Sequence, residues 1–288
     1  MTAHIDGMTT SVISIQSQVV HGHVGNSAAV LPMQVHGLNV AAIPTTLLSN
    51  NPHFETMRGR VLESELVGDL LRGVEERGLI QTSRYIISGY LGSRANGDVV
   101  ADFVERARQI NPDIIYICDP VMGDVNLGVF VANQVVECLL ERLVPMADIL
   151  TPNQFELSLI AEGAPTCWTA FQAAAARAQS FRGAQLVVTG CIFSDTPAGS
   201  LENVVCEHHS RTRLLSQRLP TAPVGTGDLF TGLLAAKLAE GDTLEKAARG
   251  AAATILTILS RTIAAGEQDM QLASVIDVLT PNNPEKLQ

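Results

Sequence analysis

A glycine-rich turn followed by a carboxylate is the feature of this chain that most clearly suggests chemistry. Residues 223–228 read PVGTGD, and an apolar helical pattern covers residues 229–238 directly after them. Gly225 and Gly227 allow a tight turn and a close approach of a ligand to the backbone. Because the free N–H groups and positive dipole end of the helix face that turn, we predict an anion site formed by Gly225, Thr226 and Gly227.

Asp228 indicates that this site does more than bind an anion. A carboxylate beside a bound phosphate repels it, a cost that is justified if the carboxylate removes a proton from an incoming hydroxyl group. An anion site with a base at the start of a helix is what phosphoryl transfer to an alcohol requires. We therefore predict that Asp228 is a catalytic base.

Polar and acidic residues also follow the other predicted strands. In open α/β sheets, ligands bind at the carboxyl ends of the strands. The convergence of these residues on one edge of the sheet is stronger evidence for a ligand-binding site than any single motif. In chain order, the residues are Ser17, Tyr90, Asp119, Asp124, Thr151, Glu156 and Thr189.

Three of these residues, Asp119, Asp124 and Glu156, are candidate metal ligands. Mg²⁺ takes oxygen ligands but retains several waters, so one or two carboxylates suffice. Asp119 and Glu156 could bridge through water to nucleotide phosphates. Alternatively, the aspartates only cap turns or helices, and Glu156 forms a capping box with Asn153, whose spacing fits. The two roles can coexist.

Other residues allow weaker predictions. The Thr189 hydroxyl could donate to a phosphate, and Ser17, just past the first strand, could meet a polar atom of the substrate or form a local turn. Gly22 and Gly25 lack the spacing of a dinucleotide-binding fingerprint, and none of the three lysines follows a glycine, which excludes a Walker A motif. No histidine has zinc-site spacing, and His53 is of interest because its loop follows the second strand.

The composition bounds the class of protein. The 288 residues are 46% hydrophobic, 17% charged and only 4% aromatic, which suits one large domain, residues 1–288, with an aliphatic core. A net charge of −10 argues against nucleic acid or an anionic membrane as partner. The five cysteines are dispersed, residues 1–10 lack a signal-peptide pattern, and no apolar run is long enough to span a membrane. We therefore predict a soluble, cytoplasmic protein with free thiols.

Apolar runs of strand length alternate with stretches of helix length along the whole chain. Strands that are apolar without alternation indicate burial on both faces of a parallel sheet, and therefore a doubly wound α/β fold. We predict strands at 12–15, 40–44, 85–88, 114–118, 148–150 and 185–189 and a hairpin at 203–206 and 212–216. We predict helices at 64–77, 97–110, 131–143, 154–161, 170–182, 227–238, 244–260 and 272–279.

Over nearly its whole length the sequence resembles the pyridoxal kinase family of the ribokinase-like superfamily. The glycine turn alone marks only the superfamily, whereas the combination of segments is specific to the family. The segments that carry the resemblance are 16–26 (QSQVVHGHVGN), 48–50 with His53, 88–90 (SGY), 118–124 (CDPVMGD), 151–156 (TPNQFE) and 225–230 (GTGDLF).

This resemblance implies ATP-dependent phosphorylation of the 5′-hydroxymethyl group of pyridoxal and related B6 vitamers. It also implies a three-layer α/β/α fold with a mostly parallel sheet, a small β flap near residues 203–216 over the nucleotide site, a homodimer, Mg²⁺ and a possible second activating ion, K⁺. The implied vitamer pocket consists of Ser17, Val24, His53, Tyr90 and Asp228. The implied ATP-binding residues are Asp119, Thr151, Glu156, Thr189, Gly225 and Gly227, with Asp119 and Glu156 serving the metal.

The chain departs from the family at His21, where tyrosine is common, which bears on vitamer preference rather than on the chemistry. A hydroxymethylpyrimidine kinase is the nearest alternative, but that family commonly has cysteine in place of the base at Asp228. A sugar kinase fits the Ser17 loop less well, because this loop suits a flat ring. A catalytically silent vitamer-binding protein is the alternative from another class, and it would need a broken anion site or a missing base.

Overall fold

The computed structural model of the protein describes residues 11–208, 210–220 and 223–279. Within these residues, most strands belong to one nine-stranded sheet of order β11-β10-β9-β8-β5-β4-β1-β2-β3, and β6 pairs separately with β7. The strands are β1 (Ser11–Val19), β2 (Asn39–Leu48), β3 (Gly59–Val61), β4 (Ser83–Ser88), β5 (Ile115–Cys118), β6 (Gly123–Asp124), β7 (Gly128–Val129), β8 (Ile149–Leu150), β9 (Gln185–Cys191), β10 (Ser200–Cys206) and β11 (Arg211–Gln217).

Helices connect and cover these strands. The α-helices are α1 (Asn26–Val35), α2 (Ser64–Glu76), α3 (Leu79–Thr82), α4 (Arg94–Ile110), α5 (Asn133–Cys138), α6 (Val144–Met146), α7 (Gln154–Ile160), α8 (Trp168–Gln179), α9 (Thr226–Ala239), α10 (Leu244–Ala264) and α11 (Ile276–Leu279).

The sheet is mostly parallel, as predicted. Strands β2, β1, β4, β5, β8 and β9 run parallel to one another, whereas β3 pairs antiparallel at one edge, and β10 and β11 do so at the other. Parallel neighbours need crossover connections, and helices supply them here. The carboxyl ends of the six parallel strands therefore meet along one edge.

Helices cover both faces of the sheet, which confirms the three-layer α/β/α arrangement. Neighbouring residues of one strand enter different cores: Ile86 packs in the core under α2, α4 and α8, and Ile87 packs in the core under α1, α9 and α10. Because each face is buried against helices, apolar residues occupy successive positions. This explains why the strand sequences lack a polar alternation.

Several elements differ from the prediction. The first strand extends to Val19, so Ser17 lies inside β1, at a register shift between Gln16 and Gln18, and not past its end. Helix α1 and the short strands β3, β6 and β7 were not predicted. The predicted helix 131–143 is interrupted by a π-helical turn at Leu139–Leu143, and Leu272–Val275 is a 3₁₀ turn before α11.

The predicted hairpin of β10 and β11 is confirmed, and it is the element in which the flap is expected. Its strands continue the main sheet beyond β9 and form its edge. Their apolar residues, such as Val205 and Leu214, are buried under the helical layer of α9 and α10. The hairpin is therefore anchored on the main sheet, and its role as a flap over the nucleotide site stays a prediction.

The cysteines and the lengths of the helices bear on the predicted cellular setting. All five cysteines are free thiols, and four of them are buried. Among the described residues, none of the helices combines the length and the apolar character that crossing a bilayer requires. Residues 1–10, in which no signal peptide is predicted, lie outside the described residues. The same holds for residues 280–288 at the other end of the predicted domain 1–288.

Candidate active site

The residues that follow the parallel strands are aligned by backbone hydrogen bonds along the carboxyl edge of the sheet. Each bond joins the N–H of such a residue to a carbonyl group of the neighbouring strand or of the segment just after it, so the residues form one row; Thr189, predicted at the end of its strand, lies within β9, which continues to Cys191. The donors and acceptors are Gly89 to Ile15 (3.1 Å), Asp119 to Ser88 (2.9 Å), Thr151 to Cys118 (3.1 Å) and Thr189 to Pro152 (2.9 Å).

The predicted anion site lies at the start of α9. Gly225 is its N-cap residue, with a left-handed φ of 90°, and no side chain caps the first turn. A Cβ atom at Gly225 would lie 1.9 Å from the carbonyl oxygen of His23, in the loop before α1. Only glycine therefore fits here, and the uncapped N–H groups of α9 are left for a ligand.

Asp228 lies in the first turn of α9 and keeps partial access to solvent. Surrounding protein desolvates its carboxyl group and raises its pKa to about 6, although the backbone N–H of Gly25 donates to it and lowers the pKa. The carboxylate is therefore ionised at neutral pH, yet it is more basic than an ordinary aspartate. These are the properties of a general base.

Asp119, just after β5, is buried beside the first turns of α9. Thr231 of α9 donates its hydroxyl to Oδ2 of Asp119 at 3.4 Å, and the hydroxyl groups of Thr231 and Thr151 are 3.1 Å apart. Burial, and next the negative charges of Glu156 and Asp228, raise the pKa of Asp119 well above its usual value. The site thus concentrates three carboxyl groups.

Glu156 forms the capping box that its spacing predicted. Asn153 accepts from the N–H of Glu156 at 2.8 Å, and the N–H of Asn153 donates to Oε2 of Glu156 at 2.9 Å. Oε1 accepts from the N–H groups of Met122 (2.9 Å) and Gly123 (3.4 Å), at the base of the β6–β7 hairpin. Burial nevertheless raises the pKa of Glu156 to about 7.

Asp124 does not belong to this carboxylate group. Its Oδ1 accepts from the N–H groups of Asn126 (2.7 Å) and Leu127 (2.8 Å), so it caps the turn of the β6–β7 hairpin. The described residues contain no group of three or more His, Cys, Asp or Glu side chains arranged to hold a metal. Of the three candidate ligands, Asp124 thus has the alternative role of a turn cap, and the assignment of the metal to Asp119 and Glu156 stays a prediction.

A divalent cation with bound phosphates nonetheless fits beside Asp119. Within the described part of the chain, the charged groups that act on Asp119 are carboxylates, and no cationic side chain counters them. A buried carboxylate whose charge is uncompensated favours a hard cation that retains water ligands. Because Glu156 already accepts three backbone N–H groups, its contact with such an ion would be water-mediated.

Two of the predicted vitamer-pocket residues are held together at the β1 bulge. Ser17 and Val24 are buried. A Cβ atom at Gly25 would lie 2.0 Å from the carbonyl oxygen of Ser17, so the loop before α1 rests directly on the bulge. Tyr90 is half-buried, and its carbonyl group accepts from the Thr45 hydroxyl at 2.6 Å.

His53 lies elsewhere, exposed in the loop after β2, where its N–H donates to Oδ1 of Asn51 at 3.0 Å. His21, the departure from the family pattern, lies nearby, with its ring 6.1 Å from that of Phe54. Both rings line an open pocket of about 410 Å³, together with Ser49, Asn50, Glu55 and Thr56.

Sequence reasoning missed the roles of Gly25 and Thr231. Thr231 had a signal, because it is a polar residue on the third position after Asp228 in an otherwise apolar helical pattern. The contact of Gly25 with Asp228 joins residues about 200 positions apart. No local pattern could have revealed it.

A parallel sheet between two helical layers, with a glycine turn and a carboxylate at the start of a helix, defines a kinase of the ribokinase-like class. The sequence model of the phosphomethylpyrimidine kinase family matches residues 24–273. This match and the relatives below show that the chain belongs to the pyridoxal kinase family.

The relatives match over almost their full length. The chain is 38% identical to a pyridoxine/pyridoxal/pyridoxamine kinase of Bordetella avium, over 91% of this chain and 89% of the relative. It is 34% identical to a pyridoxal kinase PdxY of Leifsonia xyli, over 91% and 92%. The solved pyridoxal kinase of Leishmania donovani in complex with ADP and pyridoxamine superimposes with a TM-score of 0.86 at 29% identity, covering 95% of this chain and 96% of that one.

Proposed function

We propose that this protein transfers the γ-phosphoryl group of ATP to the 5′-hydroxyl group of pyridoxal, and of pyridoxine and pyridoxamine, in B6 salvage. One observation carries the proposal: Asp228, with a pKa of about 6, lies at the uncapped start of α9. A base and an anion site thus occur within one helical turn. The names and ligands of the related kinases supply the identity of the substrates.

The proposed reaction is an in-line transfer. The Asp228 carboxylate accepts the proton of the 5′-hydroxyl group as the oxygen of that group forms a bond to the γ-phosphorus. The bond between the γ-phosphorus and the bridging oxygen of ADP breaks, and ADP leaves with the electron pair. The N–H groups of residues 225–227 stabilise the negative charge of the phosphoryl group in transfer.

Asp119 and Glu156 are the residues that we propose for Mg²⁺. Asp119 is proposed because its carboxyl group is buried with no cationic side chain to counter its charge, and Glu156 would contact the ion through a water molecule. The metal, when bound with ATP, would neutralise charge on the phosphate groups. Thr151 and Thr189 would donate their hydroxyl groups to the nucleotide, which agrees with their places in the aligned row. A requirement for K⁺ follows only from the family resemblance.

For the vitamer we propose a pocket formed by Ser17, Val24, His53, Tyr90 and Asp228. The bulge of β1 supports this assignment, because it turns Ser17 out of the regular register toward the loop before α1. His53 would have to contribute from its exposed loop. The remaining proposals are a single domain spanning residues 1–288, supported by the one continuous nine-stranded sheet, and a cytoplasmic location, supported by the free thiols. The net charge of −10 supports a protein that binds neither nucleic acid nor membrane, and a homodimer follows only from the family resemblance.

A hydroxymethylpyrimidine kinase is the second candidate, and one observation favours it: the matching family model is that of phosphomethylpyrimidine kinases. Asp228 speaks against it, since a cysteine commonly occupies this position in that family. The two candidates differ in the ring that the substrate presents, whereas the transfer itself is the same.

The test incubates the purified protein with Mg-ATP and, separately, pyridoxal, pyridoxine, pyridoxamine and hydroxymethylpyrimidine, and detects the phosphorylated product by mass. Formation of pyridoxal 5′-phosphate supports the proposal and ranks the vitamers. Turnover of the pyrimidine without turnover of any vitamer would favour the second candidate. Vitamer binding without turnover of any compound would indicate the silent binding protein.

A further inference from the structure

The loop that carries His53 is anchored by a buried side chain at its base. Residues 52–58, between β2 and β3, are all exposed, whereas Asn51, directly before them, is 2% exposed. Oδ1 of Asn51 accepts from the backbone N–H of His53 at 3.0 Å. The Asn51 side chain therefore holds the main chain of the loop at His53.

The other end of the Asn51 amide contacts a segment far along the chain. Its Nδ2 donates to Oδ1 of Asp269 at 2.9 Å, across 218 positions. Asp269 lies between α10 and the 3₁₀ turn that begins at Leu272. The neighbouring Met270 and Leu272 are buried in the core under α1, α9 and α10, so the main chain at Asp269 is held in place.

The pair of Asn51 and Asp269 also packs on the loop before α1. A Cβ atom at Gly22 would lie 3.6 Å from Oδ2 of Asp269 and 3.7 Å from Nδ2 of Asn51, which is ordinary van der Waals contact. Gly22 comes two residues before Val24, which is buried and belongs to the predicted vitamer pocket. The pair thus connects the segments of His53 and Val24 to the core.

We propose that Asn51 is a positioning residue for the vitamer and that Asp269 is its anchor, because the hydrogen bond between their side chains holds the loop in the place from which His53 contributes to the pocket. This inference rests on the proposed function, in which His53 contacts the vitamer. Asn51 acts through the main chain of His53 and needs no contact with the substrate.

The consequence is a selective effect on vitamer binding. A pocket residue that is in place for only a fraction of the time weakens binding by that fraction. Loss of the contact should therefore weaken the binding of pyridoxal. Nucleotide binding should not change, because the residues proposed for ATP belong to other segments.

Other hydrogen bonds close the loop on itself, and the test must leave them intact. The N–H of Ser49 donates to the carbonyl oxygen of Arg58 at 2.7 Å, and the N–H of Arg58 donates to the Ser49 hydroxyl at 2.8 Å. Nδ2 of Asn50 donates to the carbonyl oxygen of Thr56 at 2.9 Å. Changes at Asn51 and Asp269 keep all of these groups in the chain.

The two side chains can be exchanged, which gives a direct test. In Asn51→Asp two carboxylates face each other, and no side-chain N–H joins them. Adding Asp269→Asn to this variant places an amide opposite the new carboxylate, which can accept from that amide and from the N–H of His53. Asp269→Asn alone keeps an acceptor oxygen for Asn51, whereas Asp269→Ala removes it.

The measurement is the affinity for pyridoxal and, separately, for ADP with Mg²⁺, by isothermal titration calorimetry. We expect the Kd of pyridoxal to rise about tenfold in Asn51→Asp and in Asp269→Ala, and to return to within about twofold of the wild type in the exchanged pair and in Asp269→Asn. The Kd of ADP should stay at the wild-type value. Hydrogen exchange of residues 52–57 should rise and fall in the same order.

Asn111→Asp is the matched control. Asn111 also donates from its side chain, to the carbonyl oxygens of Ile80 (3.0 Å) and Ser83 (2.9 Å), but at the amino end of β4. This variant should lose thermal stability without a change in either affinity. If Asn51→Asp does not fold, Asp269→Ala with Asp269→Asn as its rescue decides.

Wild-type affinity for pyridoxal in the folded Asn51→Asp and Asp269→Ala proteins would overturn the inference, as would an exchanged pair that restores nothing. Equal losses for pyridoxal and ADP would also overturn it, because they would indicate a general loss of structure. A failure of the proposed function is distinct from these results. It would appear as wild-type protein that phosphorylates no vitamer, while hydrogen exchange of the loop still follows the contact.

Discussion

The contact between the glycine turn and the loop before α1 leads to a sharp prediction for Gly225→Ala. Gly225 has a φ of 90°, a conformation that alanine adopts only at a cost of about 1 kcal/mol or more. The added Cβ would also lie 1.9 Å from the carbonyl oxygen of His23, whereas ordinary contact begins at 3.4 Å. The turn and the loop must therefore move apart by more than an ångström.

This movement acts on the start of α9, where the anion site and the base lie. A displacement of about 1 Å of groups that position a substrate can lower the rate by about 10²-fold. We expect kcat for pyridoxal to fall by about that factor. Overpacking and backbone strain together should lower the free energy of unfolding by about 2–4 kcal/mol.

Gly241→Ala separates the two causes. Gly241, just after α9, has a φ of 93°, but a Cβ atom there would have no heavy atom within 4 Å. This variant should show only the backbone strain, with kcat unchanged. The assay compares kcat and urea denaturation of both variants with the wild type. A Gly225→Ala protein with wild-type kcat, and no less stable than Gly241→Ala, would refute the reasoning.

Two further predictions concern the buried carboxyl groups. Burial holds the pKa of Glu156 at about 7, above the usual 4.5, so the folded protein keeps a proton that the unfolded chain releases. Stability without ligands should therefore fall by about 1–3 kcal/mol as the pH rises from 4.5 to 7. Urea denaturation at several pH values checks this, and a slope as steep in Glu156→Gln as in the wild type would contradict it. Thr231→Val removes the hydroxyl group beside Asp119 and Thr151 at nearly constant side-chain volume. The Mg²⁺ concentration that gives half-maximal activity should rise several-fold in this variant, and Thr231→Ser should restore the wild-type value. An unchanged Mg²⁺ requirement in Thr231→Val would count against the role of Asp119.

The sheet was predictable because its strands carry their own signal. Runs such as residues 114–118 are apolar at successive positions, which only burial on both faces explains. Helix α1 was missed because its sequence weakens each usual sign: its N-cap residue is Gly25, no side chain caps it, and Pro32 lies inside it. Its place is set by packing on α9, which the sequence between residues 26 and 35 does not encode.

The site was predictable where it depends on spacing and not where it depends on distant contacts. Asn153 and Glu156 form the capping box that their separation suggested. However, the N–H groups of Met122 and Gly123 that also bind Glu156 come from a loop more than 30 residues earlier. Asp124 was a candidate metal ligand in the sequence, but the N–H groups of Asn126 and Leu127 donate to its carboxylate, so it caps the turn of the β6–β7 hairpin.

The measurement that tests the central claim most directly is a single-turnover comparison of wild type and Asp228→Asn with Mg-ATP and pyridoxal. Asparagine keeps the shape of the side chain but cannot accept the hydroxyl proton. If Asp228 is the base, the rate of pyridoxal 5′-phosphate formation should fall by about 10²–10⁴-fold while the affinity for ADP stays close to that of the wild type. Phosphorylation by Asp228→Asn at the wild-type rate would contradict the account.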